Sequence, residues 1–326
     1  MKLNKYHTMD LSNYSFLITG GAGFIGSNLV EYLLNNNAKL VRVLDNFATG
    51  KRENIAPFLQ NERFQLIEGD IRDYNTCKDA VAAIDFVSHQ AALGSVPRSI
   101  NDPITTNEVN IAGFLNVLNA VRECGVKKMV YAASSSTYGD SKILPKVENV
   151  IGNPLSPYAV TKYVNELYAQ VFADLYSLNS VGLRYFNVFG PKQDPNGAYA
   201  AVIPLFMKSA LAKESPYING DGEQTRDFTY VENAVQANVK ALLSETNGHE
   251  VMNIAFGERT SLNQLWNYIT DLADVSLKPI YRENRAGDVR DSLANISKAT
   301  NTIGYEPKFS VVEGLEITYN WYKGHE

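Results

Sequence analysis

The stretch Phe16-Leu-Ile-Thr-Gly20-Gly-Ala-Gly23-Phe-Ile-Gly26 constrains this chain more than any other. A short apolar run suited to a strand ends in glycines spaced three apart, and a helical pattern follows from about residue 24 to 36. Such glycines allow a tight turn and let backbone N–H groups at the helix N-terminus approach a pyrophosphate. Asp45 ends the next apolar run, nineteen residues after Gly26. A carboxylate there accepts from both ribose hydroxyls of NAD and repels the 2′-phosphate of NADP. Lys51 and Arg52 lie nearby and weaken that exclusion slightly.

The same alternation continues. Residues 40–44, 64–68, 86–90 and 128–132 read as strands, with an apolar-periodic helix over 109–124. Strands this apolar, interleaved with helices, predict an α/β fold: a Rossmann-type doubly wound parallel sheet. After residue 190, Pro191, Pro195, Pro204 and Pro216, with Gly197, Gly220 and Gly222, break the chain into shorter pieces. A strand is expected at 253–255 and a helix around 262–273. The reading is an NAD-binding domain over residues 1–190. A smaller C-terminal substrate-binding lobe follows over 191–326, with some segments returning to the large domain.

A net charge of −5 argues against a nucleic-acid surface, so an anionic ligand needs locally placed arginines. Cys77 and Cys124 form no C-x-x-C pair and read as free thiols in a reducing cytoplasm. Residues 1–14 lack the apolar core of a signal peptide, and no run is long enough for a membrane span. The expectation is a soluble cytoplasmic protein with no nucleic-acid, membrane or metal partner. His89 reads as a packed strand-end residue.

Ser156-Pro-Tyr158-Ala-Val-Thr-Lys162 contains Y-x-x-x-K, which puts tyrosine and lysine on one helix face. A tyrosine of ordinary pKa, ~10, is a poor base at neutral pH; a nearby ammonium and a cationic nicotinamide favour its phenolate. Twenty-four residues earlier, Ser134 stands at the end of a strand, where open α/β sheets bind ligands. Chance is a poor explanation for serine, tyrosine, lysine and the glycine cradle together.

With these motifs the chain resembles the extended short-chain dehydrogenase/reductases, and within them the UDP-hexose 4-epimerases, over nearly its whole length. The resemblance implies that Ser134, Tyr158 and Lys162 form the catalytic triad. Tyr158 takes the proton of the sugar 4-hydroxyl while tightly held NAD takes the C4 hydride. The 4-keto sugar turns over and receives the hydride on its other face. It also implies that NAD is held by Gly20, Gly23, Phe24, Ile25, Asp45, Asn46, Thr49, Gly50, Asp70, Ile71, Gln90, Ala91, Ala92, Asn107 and Tyr185, with Tyr158 and Lys162. The UDP-sugar falls to Gly94, Ser95, Ser134, Ser135, Ser136, Asn187, Ala201, Val202, Tyr217, Asn219, Arg226, Arg285, Asp288 and Ser292. Arg226 in Gln-Thr-Arg-Asp-Phe, and Arg285 and Asp288 in Arg-Ala-Gly-Asp, match the diphosphate and ribose contacts.

Dehydratases of this scaffold carry Asp-Glu after the serine; Ser135 and Ser136 stand here, which favours plain epimerisation. Ser292 occupies the family's gatekeeper position, where a small residue leaves room for an N-acetyl group. The expectation is therefore interconversion of UDP-N-acetylglucosamine and UDP-N-acetylgalactosamine. Glucose-type relatives have a lysine where this chain has Gly94. UDP-glucose or UDP-glucuronate epimerisation, and a non-catalytic NAD-sensing regulator, are the alternatives. A homodimer through a four-helix interface is the family's pattern, with 109–124 and 158–175 as candidate helices; their apolar content could equally cover the sheet.

Overall fold

Seven strands pair in parallel in one sheet: β1 Ser15–Thr19, β2 Leu40–Asp45, β3 Phe64–Glu68, β4 Phe86–His89, β5 Lys128–Ser134, β6 Ser180–Tyr185 and β7 His249–Ile254. This computed structural model describes residues 4–197, 200–283 and 290–325. The spatial order is β7-β6-β5-β4-β1-β2-β3, so the winding reverses between β1 and β4. A crevice opens there, beyond the carboxyl ends of the strands. The Rossmann-type α/β fold expected from the sequence is present.

Two strands differ from expectation. β6 carries Ser180, Gly182 and Arg184 at alternate positions, which hides its strand character, yet every residue in it is buried. Its polar groups are all answered. Ser180 Oγ meets His249 Nδ1 at 2.9 Å, and Arg184 is bound by Glu166 at 2.9 and 2.7 Å. β7 begins four residues before the expected strand at 253–255. It comes from beyond residue 190 and completes the large sheet against β6.

Helix α1 (Phe24–Asn35) follows β1. The expected helix over 109–124 starts earlier: Asp102 caps Pro103–Asn107 through the Thr105 N–H, a π-helical turn covers Glu108–Gly113, and Phe114–Glu123 ends it. The wide turn lies where Gly113 touches Ile71; a Cβ on Gly113 would sit 2.6 Å from Ile71 Cδ1. Helix α2 (Pro157–Tyr176) opens with Ser156 capping the Ala159 N–H and Pro157 in its first turn. Helix α3 (Val231–Leu243) packs on α1 and on β4, β5 and β6, and α4 (Leu262–Ala273) begins with a Ser261/Gln264 capping box. Apolar clusters cover both faces of the sheet, and a third, around Phe206, Phe228, Trp266 and Leu315, gives the C-terminal part its own core. Among the described residues no helix is long and apolar enough to cross a membrane.

Candidate active site

The glycine string folds as a cradle. Gly20 has φ +69°, and a Cβ there would lie 2.7 Å from the Ala91 nitrogen. A Cβ on Gly26 would lie 2.2 Å from the Gly20 carbonyl oxygen. Any side chain at either position would push the turn off β4 or off α1. Gly23 caps α1 and supplies no side chain to its first N–H groups, which suits them to an anion. The space left by the absent Cβ atoms fits a pyrophosphate.

Asp45, almost fully buried, accepts from the Ala22 N–H at 2.9 Å and the Phe47 N–H at 2.8 Å. Burial pushes its carboxyl up, and those two N–H groups pull it back. Beside it, Asp70 is gripped by Arg72 at 2.8 Å and by Asn46 at 2.9 Å, and the Arg72 guanidinium holds it down at about 2. The two nearby cations are both engaged: Lys51 with Asp194 at 2.9 Å and Arg52 with Glu68 at 2.8 Å. Neither stands unneutralised beside Asp45, so the two oppose its negative charge less than their sequence proximity suggests.

A cleft of about 800 Å³ runs from this cradle to the ends of β5 and β6. A side pocket of about 150 Å³ is lined by Asp45, Asn46, Thr49, Gly50, Asp70, Ile71 and Ala91. Gly20, Gly23, Gln90 and Ala92 line both spaces, while Phe24, Ile25 and Tyr185 line the larger one.

Ser134, Tyr158 and Lys162 meet in that cleft. Ser134 ends β5 and accepts from the Ser136 N–H at 3.1 Å and the Ser136 hydroxyl at 2.9 Å. Tyr158 stands in the first turn of α2, and Lys162 lies one turn on, its Nζ 5.9 Å from the Tyr158 ring centre. The ammonium donates to the Ala132 carbonyl at 2.8 Å, and burial lowers it to about 8. Burial raises the Tyr158 phenol, and the hydrogen bond with Ser134 opposes that rise. In the protein alone the tyrosine therefore keeps its proton.

Residues 16–255 match the model of the NAD dependent epimerase/dehydratase family. The chain belongs to that family.

It is 39% identical over 315 residues to a putative UDP-glucose 4-epimerase of Methanocaldococcus jannaschii, covering 95% of this chain and 98% of that one. The UDP-N-acetylglucosamine 4-epimerase of Methanobrevibacter ruminantium, solved with UDP-N-acetylmuramic acid, superposes with TM-score 0.90 at 38% identity, covering 96% of this chain and 99% of that one. A UDP-glucuronic acid 4-epimerase of Bacillus cereus, solved with UDP-glucuronic acid and NAD, gives 0.89 at 33%, covering 96% and 100%. This epimerase/dehydratase is thus an NAD-dependent enzyme of the UDP-sugar 4-epimerase kind.

The remaining expected contacts fall into two groups. Gly94, Ser135, Asn187 and Ala201 line the catalytic cleft. Ser95 caps the helix Val96–Asn101, and Val202 starts the helix Val202–Leu211. Asn187 takes a left-handed φ of +37° and donates to the Asp227 carbonyl at 3.0 Å. The second group falls in the C-terminal part of the chain. Tyr217–Asn219 pairs with Ile280–Arg282, Arg226 donates to the Thr225 and Arg290 carbonyls at 2.9 and 3.0 Å, and the Ser292 N–H donates to the Thr225 carbonyl at 3.1 Å. Arg285 and Asp288 lie outside the described residues.

Asn107 is solvent-exposed at the end of its helix, away from the lining of either space. Asn110 is instead buried one turn on and clamps both the N–H and the carbonyl of Leu93, at 2.8 and 3.2 Å. Sequence reasoning also passed over Arg98, which lines the cleft, and Asn238, which holds Gln90 and Tyr185 from behind. His89 is packed at its strand end with Thr19 Oγ1 at 2.8 Å, and no metal-ligand cluster occurs among the described residues.

Proposed function

We propose that this enzyme interconverts UDP-N-acetylglucosamine and UDP-N-acetylgalactosamine. The observation that carries the reading is Ser292, a small side chain on a segment pinned to Thr225 beside Arg226. Ser135 and Ser136, where an eliminating enzyme needs an acid and a base, support epimerisation without loss of water. Bound NAD supplies a reversible hydride acceptor. The chain's own residues do the rest. Ser134 orients the sugar hydroxyl, and the Tyr158 phenolate takes its proton and later returns it. Lys162, tied to the Ala132 carbonyl, holds its positive charge near that phenol. Gly20, Gly23 and Asp45 hold the cofactor, and Arg226 draws the diphosphate.

One observation favours a second reading. The likeness to the Bacillus cereus enzyme solved with UDP-glucuronic acid extends over 96% of this chain. Proton NMR of UDP-N-acetylglucosamine, UDP-glucose and UDP-glucuronic acid, each incubated with the protein, separates these readings. The galacto anomeric signal is expected chiefly in the first tube. Turnover chiefly of the glucuronate transfers the assignment to the second reading, and no change in any tube after NAD is added removes the epimerase.

Residues 1–190 are proposed as the cofactor domain and 191–326 as the sugar-nucleotide lobe that lends β7 back to the sheet. A homodimer is part of the same reading. Val160, Leu167, Val171 and Leu175 expose an apolar stripe along α2, with Ile100 and Ile104 alongside, and a second copy would cover it. Free Cys77 and Cys124 suit a cytoplasmic setting.

A further inference from the structure

Helix α3 lies behind the sheet, yet one of its side chains governs the cleft wall. Asn238 is fully buried. It donates to the Ala234 carbonyl at 2.8 Å and to the Tyr185 hydroxyl at 2.7 Å. Its oxygen accepts from Ser88 Oγ at 3.1 Å and from Gln90 Nε2 at 3.0 Å. Gln90 Nε2 also donates to Ser88 Oγ at 2.9 Å, and the Tyr185 hydroxyl closes the ring on Gln90 Oε1 at 3.3 Å.

The direction of every bond follows from one fixed point. A backbone carbonyl can only accept, so the Asn238 nitrogen must face Ala234 and its oxygen must face Ser88 and Gln90. That oxygen can only accept, so Gln90 must offer it nitrogen and turn its own oxygen to Tyr185. The phenol receives an N–H from Asn238 and sends its proton to Gln90. Every side-chain N–H and O–H of the four residues then has an acceptor, either within the ring or in the Ala234 carbonyl. Gln90 and Tyr185 both line the cleft, and what they have left to offer it is lone pairs alone.

We infer that Asn238 is a positioning residue that makes this part of the cofactor wall acceptor-only, so that it takes an amide NH₂ such as the carboxamide of nicotinamide and rejects a carboxylate. The inference rests on the NAD reading of the cleft but not on the sugar. Nicotinic acid adenine dinucleotide, which carries a carboxylate in place of that carboxamide, is the direct probe. Calorimetric titration of cofactor-stripped full-length protein should show NAD bound at least about tenfold more tightly than the deamido analogue. In Asn238→Leu the two affinities should converge to within about threefold, because the phenol and the glutamine amide regain freedom to turn a donor outward. A merely structural role would lower both affinities together and leave their ratio unchanged, and that result overturns the proposal. Equal affinities in the unsubstituted protein overturn it too, whether or not the variant folds; Asn238→Ser, smaller and still polar, is the second variant. Loss of sugar turnover with the NAD preference intact would remove the epimerase reading and leave the ring standing.

Discussion

Lys51 and Asp194 meet at 2.9 Å across the mouth of the cleft, one on the loop after β2 and the other on the loop after Gly190. Both side chains are more than a third exposed, so the pair adds at most about 1 kcal/mol to stability. Its position matters more than its strength, since it joins the loop after β2 to the loop after Gly190. Asp194→Ala should leave the urea midpoint nearly unmoved while NADH leaves roughly two- to fivefold faster in dilute buffer. The difference should vanish at high salt. Stopped-flow NADH fluorescence reads both; equal rates in dilute buffer would show that the pair does not hold the mouth closed.

Arg184 and Glu166 form the opposite kind of pair, with side chains only 4% and 6% exposed. Glu166→Leu strands a buried guanidinium and should cost roughly 3–5 kcal/mol in urea unfolding. Arg184→Met with Glu166→Leu should recover most of that loss, because no uncompensated charge remains. A double variant as unstable as the single one would place the cost elsewhere than in the charge.

Lys162 gives stability a pH signature. Burial lowers its ammonium to about 8 from an ordinary 10.5. Below pH 8 the folded state carries the full penalty of a buried charge, and the unfolded chain binds more protons across the window from 8 to 10.5. The Lys162 contribution to stability therefore rises with pH through that window. In Lys162→Met this component should disappear, visible as a flatter unfolding free energy between pH 8 and 10 in the cofactor-free protein. Identical pH slopes in both proteins would refute the burial argument.

Ser292→Tyr should narrow the sugar site. The added ring takes the room that an N-acetyl group needs, so kcat/KM for UDP-N-acetylglucosamine should fall at least about a hundredfold. Activity on UDP-glucose should stay within a few-fold. Parallel losses on both sugars would mean that the tyrosine distorts the lobe rather than filters its substrates.

Where sequence reading succeeded, the constraint was local. Gly20, Gly26 and Asp45 sit where spacing put them, and the Tyr158–Lys162 separation is one helical turn whatever surrounds it. Strands such as β1 and β4 declared themselves by apolar runs. β6 did not, because Ser180 and Arg184 look soluble until His249 and Glu166 are set against them. Asn107 and Asn110 share a helix and a residue type, and no pattern in the chain says which one turns inward; the π-helical turn at Glu108–Gly113 is part of that choice.

The sequence by itself determined the glycine turn between β1 and α1, the alternation that builds a parallel sheet, and the one-turn separation of Tyr158 and Lys162. Each of these depends on backbone geometry within a few residues or on the period of one element. Only the tertiary structure decided that Ser88, Gln90, Tyr185 and Asn238 close one ring, with Ser88 and Asn238 150 positions apart. It alone paired Lys51 with Asp194 and Arg184 with Glu166. The physical reason is that a buried polar group must find a partner wherever the fold brings one, and such long-range pairing leaves no periodic mark in the chain.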